Sequence, residues 1–225
     1  MRLGRGRGEQ LDPGGDPADE TVTSELGWVK VESDPRLWMP CPHFFPDGYD
    51  LDSWATGMAA AWWEQSGLSP TSDMIDRLAA MLRMLHGAYE RVRCHQIWIY
   101  LRDPAIPPHP VFIGIWQQAG DRDRRLRLLT GADDKSSVRK PEIAEVATGQ
   151  LGTGLRVLRQ RVQDKGKLRA FLGYAFRVEE HETDVQVFMV TDDLRALTVA
   201  GDDIERFVQG ITVYRNTEER KVAES

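Results

Sequence analysis

Leu168-Arg-Ala-Phe-Leu-Gly-Tyr-Ala-Phe-Arg-Val178, followed after a polar turn by Val185-Gln-Val-Phe-Met-Val190, is the stretch whose reading decides the fold. Leu168, Ala170, Leu172, Tyr174, Phe176 and Val178 alternate with Arg169, Gly173 and Arg177. A period of two is the mark of a strand with one apolar face. Glu179-Glu-His-Glu-Thr-Asp184 between the runs is a charged turn, so the pair predicts an antiparallel hairpin.

Upstream of this hairpin, Gln96-Ile-Trp-Ile-Tyr-Leu101 and Val111-Phe-Ile-Gly-Ile-Trp116 are apolar on both faces, as interior strands covered on both sides are. Pro104 to Pro110 is a stiff connection between them. Arg125 to Leu129 reads as a short, weak strand. Leu155 to Val162, carrying Arg156, Arg159 and Arg161, reads as a strand near an edge, entered through the glycine-rich turn Gly149-Gln-Leu-Gly-Thr-Gly154. Trp28-Val-Lys-Val-Glu32 gives a first short strand signal.

Before Cys94 the period is helical. After the proline-rich loop Pro40 to Gly48, Asp50 can cap a helix whose Leu51, Trp54, Ala55, Met58 and Trp62 share one face. Thr71 or Ser72 opens a second, with the stripe Ile75, Leu78, Leu82, Leu85 and Tyr89. At the other end, Asp202 and Glu205 are spaced as a capping box for a terminal helix from Ile204 to Tyr214, with Phe207, Val208 and Ile211 inward. The prediction is one α+β domain over residues 26–215, with a mainly antiparallel sheet of five to seven strands. Two helices in the N-terminal half and one at the C-terminus flank it. Residues 1–25, rich in Gly, Pro and charge, are expected to form a disordered tail, and 216–225 a frayed one.

This element order resembles the PsbP/Mog1 family of α/β/α sandwiches, on the residues Gly173-Tyr-Ala-Phe-Arg-Val178, Val185-Gln-Val-Phe-Met-Val190 and Asp203-Ile-Glu-Arg-Phe-Val-Gln-Gly-Ile211. Members mostly act as assembly or accessory factors without catalysis, so the resemblance implies a binding role. It carries over no functional residue.

The chemistry written in the chain is sparse. With 41% hydrophobic and 28% charged residues the composition is globular, and no apolar run is long enough to span a bilayer. Two cysteines make no disulfide framework, and a cytoplasmic location is the expectation. Cys41, His43, Cys94 and His95 are ligand types without zinc spacing, because adjacent strand residues point to opposite faces. No metal and no cofactor is predicted. There is no nucleophile elbow, and His43, His86, His95, His109 and His181 are candidates by residue type alone, His86 at a helix end and His109 and His181 in exposed turns. Glu179, Glu180, Glu182 and Asp184 lack the spacing of a calcium loop.

Charge and aromatics point to binding instead. From Asp121 to Ala170 there are thirteen Lys and Arg against seven Asp and Glu, in a molecule whose formal charge is −6. Arg156, Arg159, Arg161, Lys165, Lys167 and Arg169 on one hairpin would engage an acidic protein surface, or else shield a sheet edge. Nucleic acid is disfavoured, because interleaved stacking aromatics are missing there. Trp62 and Trp63 lie about 100° apart on a helix, so one is expected at its flank, under the Pro40 to Asp47 loop or against a partner. The function these features favour is that of a non-catalytic accessory or adaptor protein binding another protein, or a second copy of itself. An enzyme or small-ligand-binding protein, with a pocket between helices and sheet, is the alternative.

Overall fold

The computed structural model of this chain describes residues 28–163 and 166–215, so both expected tails and Lys165 lie outside the described residues. Strands β1 (Trp28–Val31) and β2 (Trp38–Cys41) precede helices α1 (Leu51–Gln65) and α2 (Ser72–His86). Strands β3 (Gln96–Tyr100) and β4 (His109–Gln117) lead to α3 (Arg122–Thr130). Then come β5 (Glu142–Thr148), β6 (Gly152–Val162), β7 (Leu168–Val178), β8 (Thr183–Thr191), α4 (Leu194–Gln209) and β9 (Ile211–Tyr214). Seven strands form one antiparallel sheet in the order β2-β3-β4-β8-β7-β6-β5, and β1 pairs with β9 in a separate ribbon.

The decisive hairpin forms as predicted, with Phe176 opposite Val185 and Tyr174 opposite Val187. The even-numbered residues of β7 point to a core that α4 and the β1–β9 ribbon cover, where Tyr174, Phe176 and Phe207 are at most 1% exposed. Each such ring contributes roughly 1.5–3 kcal/mol by leaving water. The opposite face is roofed in two places. Helices α1 and α2 pack on Met39, Cys41, Ile97, Ile99 and Phe112, and α3 lies over β6, β7 and β8.

Helices α1 and α2 begin at the predicted caps: Asp50 accepts from Ser53 N–H at 2.7 Å, and Thr71 occupies the second cap position. Two expectations need correction. Arg125 to Leu129 is no strand but the body of α3, because Asp121 caps it, accepting from Arg124 N–H at 2.9 Å. Gly131 ends it at φ +66°. Leu126 and Thr130, one helical turn apart, are its buried residues.

The terminal helix starts ten residues earlier than its predicted first residue, at Leu194 under the cap Asp193, and buries Ala196, Ala200, Ile204, Phe207 and Val208. Gly210 ends it and Ile211–Tyr214 turn extended as β9. A Cβ at Gly210 would sit 1.9 Å from the carbonyl oxygen of Glu32, whose N–H donates to Gly210 C=O at 2.8 Å. Only a residue without a side chain lets β1 approach so closely. Strand β5, absent from the sequence prediction, completes the sheet as its outer edge.

Candidate functional site

The basic hairpin is assembled by β6 and β7, but its guanidinium groups meet carboxylates of the same chain. Arg159 and Arg161 both reach Oδ2 of Asp134 at 2.5 Å, and Arg159 also lies 4.1 Å over the Phe171 ring. Hydrogen bonding from Arg161, with help from Ser136 and Arg159, holds the Asp134 carboxyl well below the usual carboxylate range. Arg169 pairs with Asp192 at 2.5 Å, and Arg156, on the other face of the sheet, lies 3.5 Å from Glu205. Arg159, Arg161 and Arg169 share one face, while Lys167 is exposed in the turn before β7. The surplus positive charge seen in the sequence is thus largely answered by acids from the α3–β5 loop, the β8–α4 turn and α4.

Trp62 and Trp63 are both core residues, 5% and 2% exposed. Helix α1 is covered on two sides, by the sheet and by α2, so it buries a face wider than the angle separating the two rings. Trp62 Nε1 donates to Leu101 C=O at 3.1 Å.

The metal-ligand types are spent locally. His95 Nδ1 accepts from Ile115 N–H at 2.9 Å, and burial pushes the thiols of Cys41 and Cys94 up to about 12 and 11. Among the described residues, no group of three His, Cys, Asp or Glu side chains is placed to hold a metal ion. His86 ends α2 as predicted, and His181 lies in a single 3-10 turn, but His109 opens β4 opposite Tyr100 rather than standing in an exposed turn.

The surface that stands out comes from a segment the sequence marked only as a loop. Residues 42–49 fold over the outer end of β2 and the start of α1. Phe45 turns inward, 6.2 Å from Trp54 and 5.4 Å from His86, and His43 stacks on Tyr89 at 4.3 Å and 18°. Burial and the nearby His86 lower the His43 pKa, which favours the neutral ring in that stack. The Tyr89 hydroxyl donates to Cys41 C=O at 2.8 Å and accepts from Ile97 N–H at 3.0 Å, tying the loop's root to the sheet.

With Phe45 and His43 fixed, Phe44 is left 81% exposed and Tyr49 52% exposed. Together with Met39, Pro42, Trp54 and Met58 they line an apolar depression of about 530 Å³. The signal in the sequence was the pair Phe44-Phe45 among prolines: bulky apolar residues in a segment with no periodic face on which to bury them.

A second depression, about 470 Å³, lies between α1 and α4 and is polar. There Asp203, 4% exposed, accepts from Tyr100 Oη at 2.6 Å and pairs with Arg206, while Arg36 bonds Asp34 through two nitrogens. These opposed charges close on one another.

No protein-family model matches the chain, and no curated protein matches it. Among solved structures it is similar to LpqN of Mycobacterium tuberculosis, described as involved in cell envelope biogenesis, with 11% identity and a TM-score of 0.48 over 89% of this chain and 87% of that one. It is also similar to the PsbP (CyanoP) of Synechocystis sp. PCC 6803, with 10% identity and a TM-score of 0.38 over 90% of this chain and 100% of the other. Both scores lie below 0.5, so neither likeness bears on what this chain does. No helix among the described residues is long and apolar enough to cross a membrane.

Proposed function

We propose that this protein is a non-catalytic adaptor that binds an apolar segment of a protein partner in the depression formed by residues 42–49, β2 and α1. The observation that carries this reading is the exposure of Phe44 and Tyr49 beside an apolar floor of Met39, Trp54 and Met58. A contiguous apolar patch of this kind on a folded domain marks an interaction site, and aromatic anchors supply most of the energy in such contacts. Pinning by Phe45, His43 and Tyr89 adds preorganisation, which lowers the entropy lost on association. The interface between α1–α2 and the sheet, where an enzyme's pocket was the alternative, is filled by Leu78, Leu82, Ile97 and Ile99, each at most 2% exposed. Two free cysteines fit the reducing cytoplasm that this reading assumes.

Photo-crosslinking in host cells from a benzophenone side chain at position 44 tests it, with position 199 on α4, 48% exposed in the native chain, as the control. A discrete protein adduct from 44 that is absent from 199, and lost when Tyr49→Ser and Met58→Lys are added, is expected. Equal adducts from both positions, or none from 44, would overturn the proposal.

A further inference from the structure

The two edges of the seven-stranded sheet are unlike. On β2, Pro40 has no N–H to offer and Trp38 N–H is taken by Asp34 C=O at 3.0 Å, so that edge is closed to another strand. On β5 the outward groups follow from the ladder. Gln163 N–H donates to Lys167 C=O at 2.7 Å, which turns the odd-numbered residues of β6 toward β7 and the even-numbered ones toward β5. Leu158, Arg156 and Gly154 therefore bond Glu142, Ala144 and Val146. The backbones of Ile143, Glu145 and Ala147 point away from the sheet. Gln209 Nε2 covers Ala147 C=O at 3.0 Å; the described structure gives the outward N–H and C=O groups of Ile143 and Glu145 no such cover.

Glu142, Ile143, Ala144 and Glu145 are all exposed, and no proline or lysine interrupts β5. Its flank is basic, Arg139-Lys140, and its body acidic, Glu142 and Glu145. Among the described residues Lys140, Glu142 and Glu145 have no ion-pair partner. A strand with one basic and one acidic end is complementary to itself only when the second strand runs antiparallel, basic flank against acidic body. Next to it, Val138 (54% exposed), Val162 (56%) and Leu168 (37%) extend an apolar row across the same end of the sheet.

We infer that β5 is a homodimer edge: two copies pair antiparallel with the outward backbone of Glu145 of each opposite Arg139 of the other and that of Ile143 opposite Pro141, joining their sheets into one. The Glu142–Glu145 body of each lies against the Arg139–Lys140 flank of the other.

Sedimentation velocity of the full chain across a concentration series tests this. A reversible shift from one chain to two is expected. Glu145→Pro removes only an outward N–H, so its circular dichroism should stay native while dimer affinity falls at least about tenfold, the effect of losing edge hydrogen bonds worth 1–2 kcal/mol. Should that variant misfold, charge carries the test. Glu145→Arg alone and Arg139→Glu/Lys140→Glu alone each weaken the dimer, and their combination restores it. A chain that stays monomeric at every concentration, or a dimer indifferent to the charge reversals, overturns the inference.

Discussion

Arg177 and Asp184 face one another across β7 and β8, Nε to Oδ1 at 2.7 Å, in a site where the arginine is 6% exposed and the aspartate not at all. Two further observations make this pair the anchor of α3. Arg125 of that helix reaches the second carboxylate oxygen at 3.2 Å, and the Arg177 guanidinium donates to the carbonyls of Gly120 and Ala119 just before it. Burying two charges costs several kcal/mol that their attraction offsets only while both are present. Arg177→Met should therefore cost roughly 3–5 kcal/mol in urea unfolding. The double variant Arg177→Met/Asp184→Leu should cost clearly less than the sum of the single changes. Additive losses would mean that the two charges do not act as a unit.

Asp134 is the hub that answers the charge of the hairpin, since Arg159 and Arg161 both end on it. Its folded pKa is depressed, so it binds its proton more weakly folded than unfolded. The stabilisation is full above the ordinary aspartate value, near 3.9, and is lost as pH falls through the lower folded value. Asp134→Asn should cost roughly 1.5–3 kcal/mol at neutral pH, the range for hydrogen bonds to charged groups. The gap from the native chain should narrow progressively as pH falls below about 4. The same variant releases two guanidinium groups, so it should elute later from heparin at neutral pH. Unchanged retention would show that the hairpin's charge is not masked by this carboxylate.

What the sequence could disclose follows from how each element is buried. The β7–β8 hairpin was legible because the even positions of β7 are apolar, Leu172, Tyr174 and Phe176 among them, while the odd ones include Arg169, Gly173 and Arg177, although the fold buries both faces from Leu172 to Val178. Strand β5 was not: with Glu142, Ile143, Ala144 and Glu145 all exposed, it has no buried face to impose a period. The segment Arg125-Leu-Arg-Leu-Leu129 satisfies a period of two and of 3.6 alike, and the deciding signals were the punctuation at Asp121 and Gly131. The hairpin's arginines were found, but their neutralisation by Asp134, Asp192 and Glu205 was hidden, because long-range pairing leaves no local pattern. The apolar groove was missed for a similar reason. Phe44 and Tyr49 gain their meaning only when Trp54 and Met58 of α1 come up beneath the loop.

Tyr89 links that groove to the fold and separates two contributions that other substitutions would mix. Its hydroxyl stands between Cys41 C=O and Ile97 N–H, where a direct ladder bond of β2 and β3 would otherwise lie, while its ring stacks under His43. Tyr89→Phe keeps the stack and removes the bridge, leaving a donor and an acceptor unpaired in a half-buried site. The expected cost is roughly 1–3 kcal/mol, with faster amide exchange at Ile97 and a frayed end of β2. Since Met39 and Pro40 of β2 form the floor of the groove, the crosslinking yield from position 44 should fall in step with that fraying. If Ile97 exchange rises and the yield does not, Phe44 and Tyr49 hold the partner without the floor, and the contact is a surface ridge rather than a groove.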